Sequence, residues 1–424
     1  KVKINNKLRS VIKASLAKIN LFASDENKRL KAAKNILENL EEQDKEIILE
    51  ALKSEKKSSI KDILLEANTN LNAKFLRGEE QLKAIEELGG FLSSKSLETL
   101  NSLKESNDEK IKIAVTNALK EIELSKTFYS FIETAFFGLS QGSVLLLAAI
   151  GLAITFGVMK VINMAHGELI MIGAYTTYTI QQLMPNLIEY SIIIAIPAAF
   201  IVSGLVGILI ERLVIRHLYG RPLETLLATF GISLILQQVV RTIFSPLNQE
   251  VKTPSWMSGA LEINGALSLT YNRLYVVIFA FIVFFAVLYV MKKTSLGLKV
   301  RAVSQNRPIA RAMGIQSSKI DAITFGIGSG IAGVAGVALS QLTNVGPNLG
   351  QAYIVDSFMV VVFGGVGNLW GTLIASFTLG EINKFIEPLA GAVLAKVIIL
   401  VFIILFIQKR PRGLFPQKGR DAQD

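Results

Sequence analysis

Gly142-Ser143-Val144-Leu145-Leu146-Leu147-Ala148-Ala149-Ile150-Gly151-Leu152-Ala153-Ile154-Thr155-Phe156-Gly157-Val158-Met159 carries no charged side chain, and no charge interrupts the chain between Glu133 and Lys160. An apolar run of about 20 residues is what a helix needs to cross a hydrocarbon core about 30 Å thick. Working outward, residues 133–157 form the first such run, and 167–184, 190–210, 224–244, 274–291, 321–342 and 390–407 form others. The expected fold class is all-α, a polytopic transmembrane helix bundle of about seven to nine crossings. Residues 353–385 are also apolar but are broken at Gly364, Gly365, Gly367 and Gly371. A broken helix survives in a membrane only where protein buries it or where it lines a cavity. This segment is therefore expected to be two crossings or a re-entrant pair.

Composition divides the chain. Residues 1–127 hold 24 Lys and Arg against 21 Asp and Glu, whereas residues 128–424 hold 21 against 13. The first part is charged like a soluble domain and spaces Leu, Ile and Ala at helical intervals between turns such as Ser24-Asp25-Glu26 and Ser106-Asn107-Asp108. Ser24, Lys28, Ala32, Asn35 and Leu37 recur as Ser106, Lys110, Ala114, Asn117 and Leu119, a constant offset of 82. That spacing resembles a small HEAT-like solenoid, although one charged helical hairpin aligns with another nearly as well. The expected organisation is a soluble helical domain at 1–127 and a membrane domain at 128–424.

The net charge of +11 does not point to nucleic acid, which would need basic residues gathered on one accessible face. Of the 21 basic residues after position 127, 16 lie at Lys160, at Arg212, Arg216 and Arg221, within residues 292–319, and at Lys409, Arg410, Arg412, Lys418 and Arg420. By the positive-inside rule these stretches and the C-terminus are cytoplasmic, which places the N-terminal domain outside the cytoplasm. The chain starts at Lys1 without methionine, as removal of an N-terminal signal or trimming would leave it.

No cysteine is present, and His166 and His217 are the only imidazoles. His166-Gly167-Glu168 lacks the spacing of a helical zinc site, so no metal site is expected. No Gly-Lys pair exists to cradle a phosphate, so the chain is not expected to be an enzyme or to hold a cofactor.

Three segments carry the functional reading. The run Val161-Ile162-Asn163-Met164-Ala165-His166-Gly167-Glu168-Leu169 sets polar groups between two spans, where they either face the bundle or are wetted at the lipid boundary. Gly326, Gly330, Gly333 and Gly336 present a small-residue face for close helix packing, along which a solute path could also run. Residues 294–318 make a basic, amphipathic connection far longer than a turn requires. This suits docking of a partner or of a lipid headgroup.

These residues resemble a known family. Gly142-Ser143-Val144 through Gly151-Leu152-Ala153, Ile162 through Glu168, Arg301-Ala302 through Met313-Gly314-Ile315, and Phe363-Gly364-Gly365-Val366-Gly367-Asn368 are similar to permeases of branched-chain-amino-acid ABC importers, over roughly residues 130–415. The extra N-terminal domain, the wording of residues 145–159 and the ending Lys409-Arg410-Pro411-Arg412-Gly413-Leu414-Phe415 are closest to the first permease subunit of urea importers.

The resemblance implies a multi-pass protein of the bacterial inner membrane, paired with a second related permease. Two cytoplasmic ATPase subunits, which hold ATP and Mg, and a periplasmic solute-binding protein complete the complex, with membrane lipid around it. It implies urea as substrate, with a branched-chain amino acid as the alternative, moved by alternating access. It assigns ATPase coupling to Gly297, Arg301, Ala302, Asn306, Arg307, Met313 and Gly314. The candidate pathway is Asn163, His166, Gly167, Glu168, Thr229, Ser233, Gln237, Gly364, Gly365, Gly367 and Asn368. Competing readings are a membrane-anchored scaffold whose N-terminal domain binds a partner, and a passive channel.

Overall fold

The computed structural model describes Leu16 and residues 18–416, so Lys1, Lys418 and Arg420 lie outside the described residues. The chain forms two compact units, residues 1–133 with 262–268, and the remainder.

Unit 1 is built on the helices α1 (Glu26–Glu38), α2 (Lys45–Ser54), α3 (Ser58–Phe75), α4 (Glu79–Leu88) and α5 (Ser94–Leu103) and the first part of α6 (Glu109–Met159). Asp25 starts α1 by accepting from the Asn27 N–H, and Asp108 accepts from Lys110 N–H at the start of α6. The helix α3 is central. Its Ile60, Leu64, Ala67 and Leu71 pack with Ala33, Ile36, Ile48 and Ala51, while Ala73 joins a second core around Ile85, Leu88, Leu100 and Val115. Two small cores in succession are how stacked helical hairpins bury apolar surface.

The two units divide after Glu133, and α6 runs without interruption from Glu109 to Met159 through that point and through residue 127. No Gly or Pro occurs between Glu109 and Phe137, so nothing local ends the helix there.

Unit 2 continues with α7 (His166–Leu183), α8 (Ile188–Leu213), α9 (Pro222–Phe244), α10 (Tyr271–Lys293), α11 (Ser295–Gln305), α12 (Arg307–Ala312), α13 (Ser317–Ser340), α14 (Leu349–Gly364), α15 (Leu369–Ala390) and α16 (Ala392–Lys409). A short hairpin of β1 (Ala260–Asn264) and β2 (Leu267–Thr270) precedes α10. Among the described residues six helices are long and apolar enough to span a membrane: α6, α8 with its flanking turns, α9, α10, α13 and α16. The protein is a multi-pass, almost wholly helical membrane protein.

Contacts gather every basic loop at one end of unit 2. Arg212 bonds Ser318, Ser304 bonds the Gly157 carbonyl, and Arg307 bonds Asp321, while Asn368 bonds the Phe415 carbonyl. The opposite end joins Gln181 to Ser191 and Lys252, Glu189 to Ser255, and Gln249 to Val345.

The core lies around α13. A Cβ on Gly326 would meet Ile208, on Gly330 the Phe200 ring, on Gly333 Ala199 and Ser203, and on Gly336 the α7 main chain at Ile170 and Ala174. Because these glycines carry no side chain, α13 comes close to the main chains of α7 and α8.

The glycine-broken segment is a helix–turn–helix, α14 and α15, whose turn lies at the basic end. Gly365 and Gly367 have positive φ (104° and 78°), Leu414 N–H donates to the Phe363 carbonyl at 2.9 Å, and Phe415 N–H to Gly364 at 3.1 Å. The break therefore sits at the basic end of the unit, where the C-terminal segment satisfies the backbone.

Candidate functional site

Beyond Met159 the chain leaves α6 through Lys160 in a left-handed conformation (φ 53°) and turns back before α7 begins. Asn163 Oδ1 accepts from Ala165 N–H at 3.0 Å, and Met164 N–H donates to Thr229 Oγ1 at 3.1 Å. His166 then lies 2.9 Å through Nε2 from the Ala148 carbonyl oxygen. Ala148 is about three turns, roughly 16 Å, inside the end of α6. The N-terminus of α7 thus stands near the middle of the bundle, and His166 and Glu168, 0% and 1% exposed, are not at a wetted lipid boundary.

The start of α14 arrives at the same place. A Cβ on Gly167 would collide with the Gly350 main chain, and one on Gly350 with the Gly167 main chain and the Glu168 carboxylate. Two helix N-termini therefore meet beside Glu168, each contributing the positive end of its dipole. One carboxylate oxygen, Oε1, accepts from Ser233 Oγ and Gln237 Nε2, both at 2.5 Å. The other, Oε2, is buried without a partner, as are Asn163 Nδ2 and His166 Nδ1. Buried polar atoms are rarely left so, and here three occur within six residues.

The remaining wall is α9. Thr225, Thr229, Ser233 and Gln237 recur every four residues, which puts them on one face, and all four are buried. The opposite face is apolar and exposed at Leu223, Leu227, Leu234 and Ile235. This helix is held to the bundle by a polar stripe.

Of the residues picked out in the sequence, Asn163, His166, Gly167, Glu168, Thr229, Ser233 and Gln237 come together. Gly364, Gly365, Gly367 and Asn368 do not: they form the turn at the basic end, where Asn368 caps α15 through Trp370 and Gly371 N–H. Sequence reading missed Gly350, Ala148 and Thr225. The four-residue spacing pointed to Thr225, whereas nothing local marks Ala148, which acts through its carbonyl.

Residues 294–318 form α11 and α12 rather than an open loop, capped by Thr294 at Gly297 N–H and by Asn306 at Ile309 N–H. Arg307 donates from Nη1 to Asp321 Oδ2 at 2.8 Å and from Nη2 to Oδ1 at 3.0 Å, tying α12 to α13. Its guanidinium lies 4.7 Å over the Tyr219 ring, and Tyr219 donates to Glu211 at 3.1 Å. Burial, with the Asp321 and Glu211 carboxylates beside it, pushes the Tyr219 phenol up, which keeps it a donor. Arg301 donates to the Met291 carbonyl, Ala302 accepts from Asn306 N–H, and Gly314 takes positive φ (83°). Leu298, Ile309 and Met313 are left exposed on this hairpin.

The family model described as branched-chain amino acid transport system, permease component, matches residues 134–407. The chain is 29% identical over 297 residues to the high-affinity branched-chain amino acid transport system permease protein BraD of Pseudomonas aeruginosa, covering 68% of this chain and 96% of that one. It is 29% identical over 302 residues to the corresponding permease LivH of Escherichia coli K12, covering 69% and 97%. The ribose import permease RbsC of Escherichia coli K12 is 27% identical over 291 residues, covering 66% and 86%. These matches take in nearly all of BraD and LivH, and the family match leaves residues 1–133 of this chain outside it. No solved structure matches the chain. The chain belongs to the family of branched-chain amino acid transport system permease components.

Proposed function

We propose that this permease carries a branched-chain amino acid across the membrane. The observation that carries the reading is the meeting of two helix N-termini beside a buried carboxylate with one unpaired oxygen. A zwitterion needs an anion site, which a helix N-terminus supplies, and a partner for its ammonium, which Glu168 Oε2 supplies. An apolar hollow of about 400 Å³ between α14 and α16, with Met164 on its rim, suits an aliphatic side chain. Urea would use the polar groups but not the hollow, and the names of BraD and LivH lend it no support. Urea keeps the wording of residues 145–159, the ending at 409–415 and the N-terminal domain, of which residues 1–133 lie outside the family match.

In this reading the basic end is cytoplasmic and unit 1 extracytoplasmic. The hairpin of α11 and α12, with exposed Leu298, Ile309 and Met313, docks on one of two ATPase subunits that hold ATP and Mg. A second permease completes the pathway, and a binding protein delivers solute. Transport is alternating access, in which α9 withdraws its polar stripe from Glu168 and exposes the site to one side at a time.

The test is uptake into proteoliposomes holding the complete complex. ATP-dependent uptake of labelled leucine, competed by valine and isoleucine but not by urea, is expected. Uptake of urea but not leucine would overturn the substrate, and uptake without ATP would overturn the coupling.

A further inference from the structure

We infer that a cleft at the basic end of unit 2 is a binding site for an anionic phospholipid. The cleft, about 890 Å³, opens between α6, α10, α11, the start of α15 and the segment after α16. Its deep wall is apolar. Ile154 and Leu288 each lie about one and a half turns inside the ends of their helices, roughly 8 Å below the rim. Trp370 stands beside them, 44% exposed and set edge-on to Phe284 with 5.4 Å between ring centroids. The rim carries Lys292, Arg301 and Arg412, and no acidic residue lines the cleft.

This arrangement selects for an amphipathic anion. A soluble anion would leave the apolar depth unused, and an apolar ligand would leave the cations unused. A docked protein segment would have to enter the acyl layer to fill the depth. A phospholipid fits both parts, with its phosphate among the rim cations at the headgroup level and an acyl chain along Ile154 and Leu288. Tryptophan at this level suits the boundary between headgroup and hydrocarbon. Gly367 and Asn368 line the same cleft, so the glycine-broken turn gains a place at a lipid site rather than on the solute path.

The experiment uses the complete complex in nanodiscs of phosphatidylcholine containing a minor fraction of phosphatidylglycerol, with native mass spectrometry of the lipid retained on release. The expected result is preferential retention of phosphatidylglycerol, reduced about tenfold or more in Lys292→Gln/Arg412→Gln. Trp370→Ala is expected to weaken retention of both lipids alike. Equal retention of the two lipids by the unsubstituted protein, a comparison that needs no variant to fold, would overturn the site. So would unchanged phosphatidylglycerol retention in the double variant. Loss of ATPase subunits from that variant with lipid retention intact would assign the cleft to protein docking instead.

Discussion

Replacing Arg307 with alanine should separate ATP hydrolysis from transport. The Asp321 side chain is 1% exposed and that of Arg307 28%, so truncation strands a carboxylate that water cannot reach. Two hydrogen bonds between charged groups, at about 1.5–3 kcal/mol each, set an upper range of about 3–6 kcal/mol. Partial exposure of the arginine lowers this, and breaking a buried pair from one side costs about 3–5 kcal/mol. A cost of about 3 kcal/mol shifts a two-state equilibrium about 150-fold. That is enough to free α12 from α13, the helix whose Gly328 lies against α6 beside His166. The assay is the ratio of leucine taken up to ATP hydrolysed in proteoliposomes, with thermal unfolding measured in parallel. Arg307→Ala is expected to keep hydrolysis, lose most uptake and unfold at lower temperature. Arg307→Met/Asp321→Leu should recover much of the stability, because no buried charge is left unpaired, yet remain uncoupled. A normal ratio in Arg307→Ala would refute the idea that this ion pair transmits the motion.

Other outcomes follow from the same geometry. Glu168→Gln keeps the bonds to Ser233 and Gln237 within reach but removes the charge, so leucine uptake should fall at least tenfold with complex assembly unchanged, as transport and gel filtration would show. Gly173→Ala sets a Cβ on the Gly333 carbonyl and should lower stability by about 1–3 kcal/mol in thermal unfolding. The absence of cysteine permits single-cysteine labelling: Ser255→Cys should react with an impermeant maleimide in intact cells, and Gln305→Cys only after permeabilisation. Arg29 bonds Glu55 at 2.8 Å and holds its carboxyl below the usual range. A lowered carboxyl pKa means stability present above the unfolded value and lost as pH falls through the folded one. Hydrogen-exchange protection of α1–α3 in the intact chain, measured against the intrinsic rate at each pH, should therefore fall below about pH 4, less so in Glu55→Gln.

The spans were legible because an uncharged run such as 134–159 has few alternatives, and the ends of α8, α10, α13 and α16 fell within a few residues of the apolar runs, whereas α6 begins 24 residues before its run. What escaped was depth and direction. The polarity of Asn163, His166 and Glu168 is compatible with a wet boundary, and only the return of the chain to Ala148 places them inside. The glycines at 364–367 signal a break without its level, which the bonds from Leu414 to Phe363 and from Phe415 to Gly364 fix between segments far apart in sequence. Asp321, an acid at the edge of an apolar run, was a legible signal for a buried partner, but its choice of Arg307 depends on how α12 folds back.

The stripe on α9 has one further consequence, which concerns register. Its period of four residues is close to that of the helix itself, so a slide of one turn, about 6 Å, carries each polar residue to its neighbour's position. Moved one way, Thr225 replaces Thr229 and Thr229 replaces Ser233, a hydroxyl for a hydroxyl. Moved the other way, Gln237 takes the place of Ser233, and Arg241, which now bonds Asn348 at 2.8 Å, is brought opposite the Glu168 carboxylate. The ladder that fastens the helix thus has two neighbouring rungs on which it could also rest, and the second would set a cation against Oε1, the carboxylate oxygen that Ser233 and Gln237 now hold.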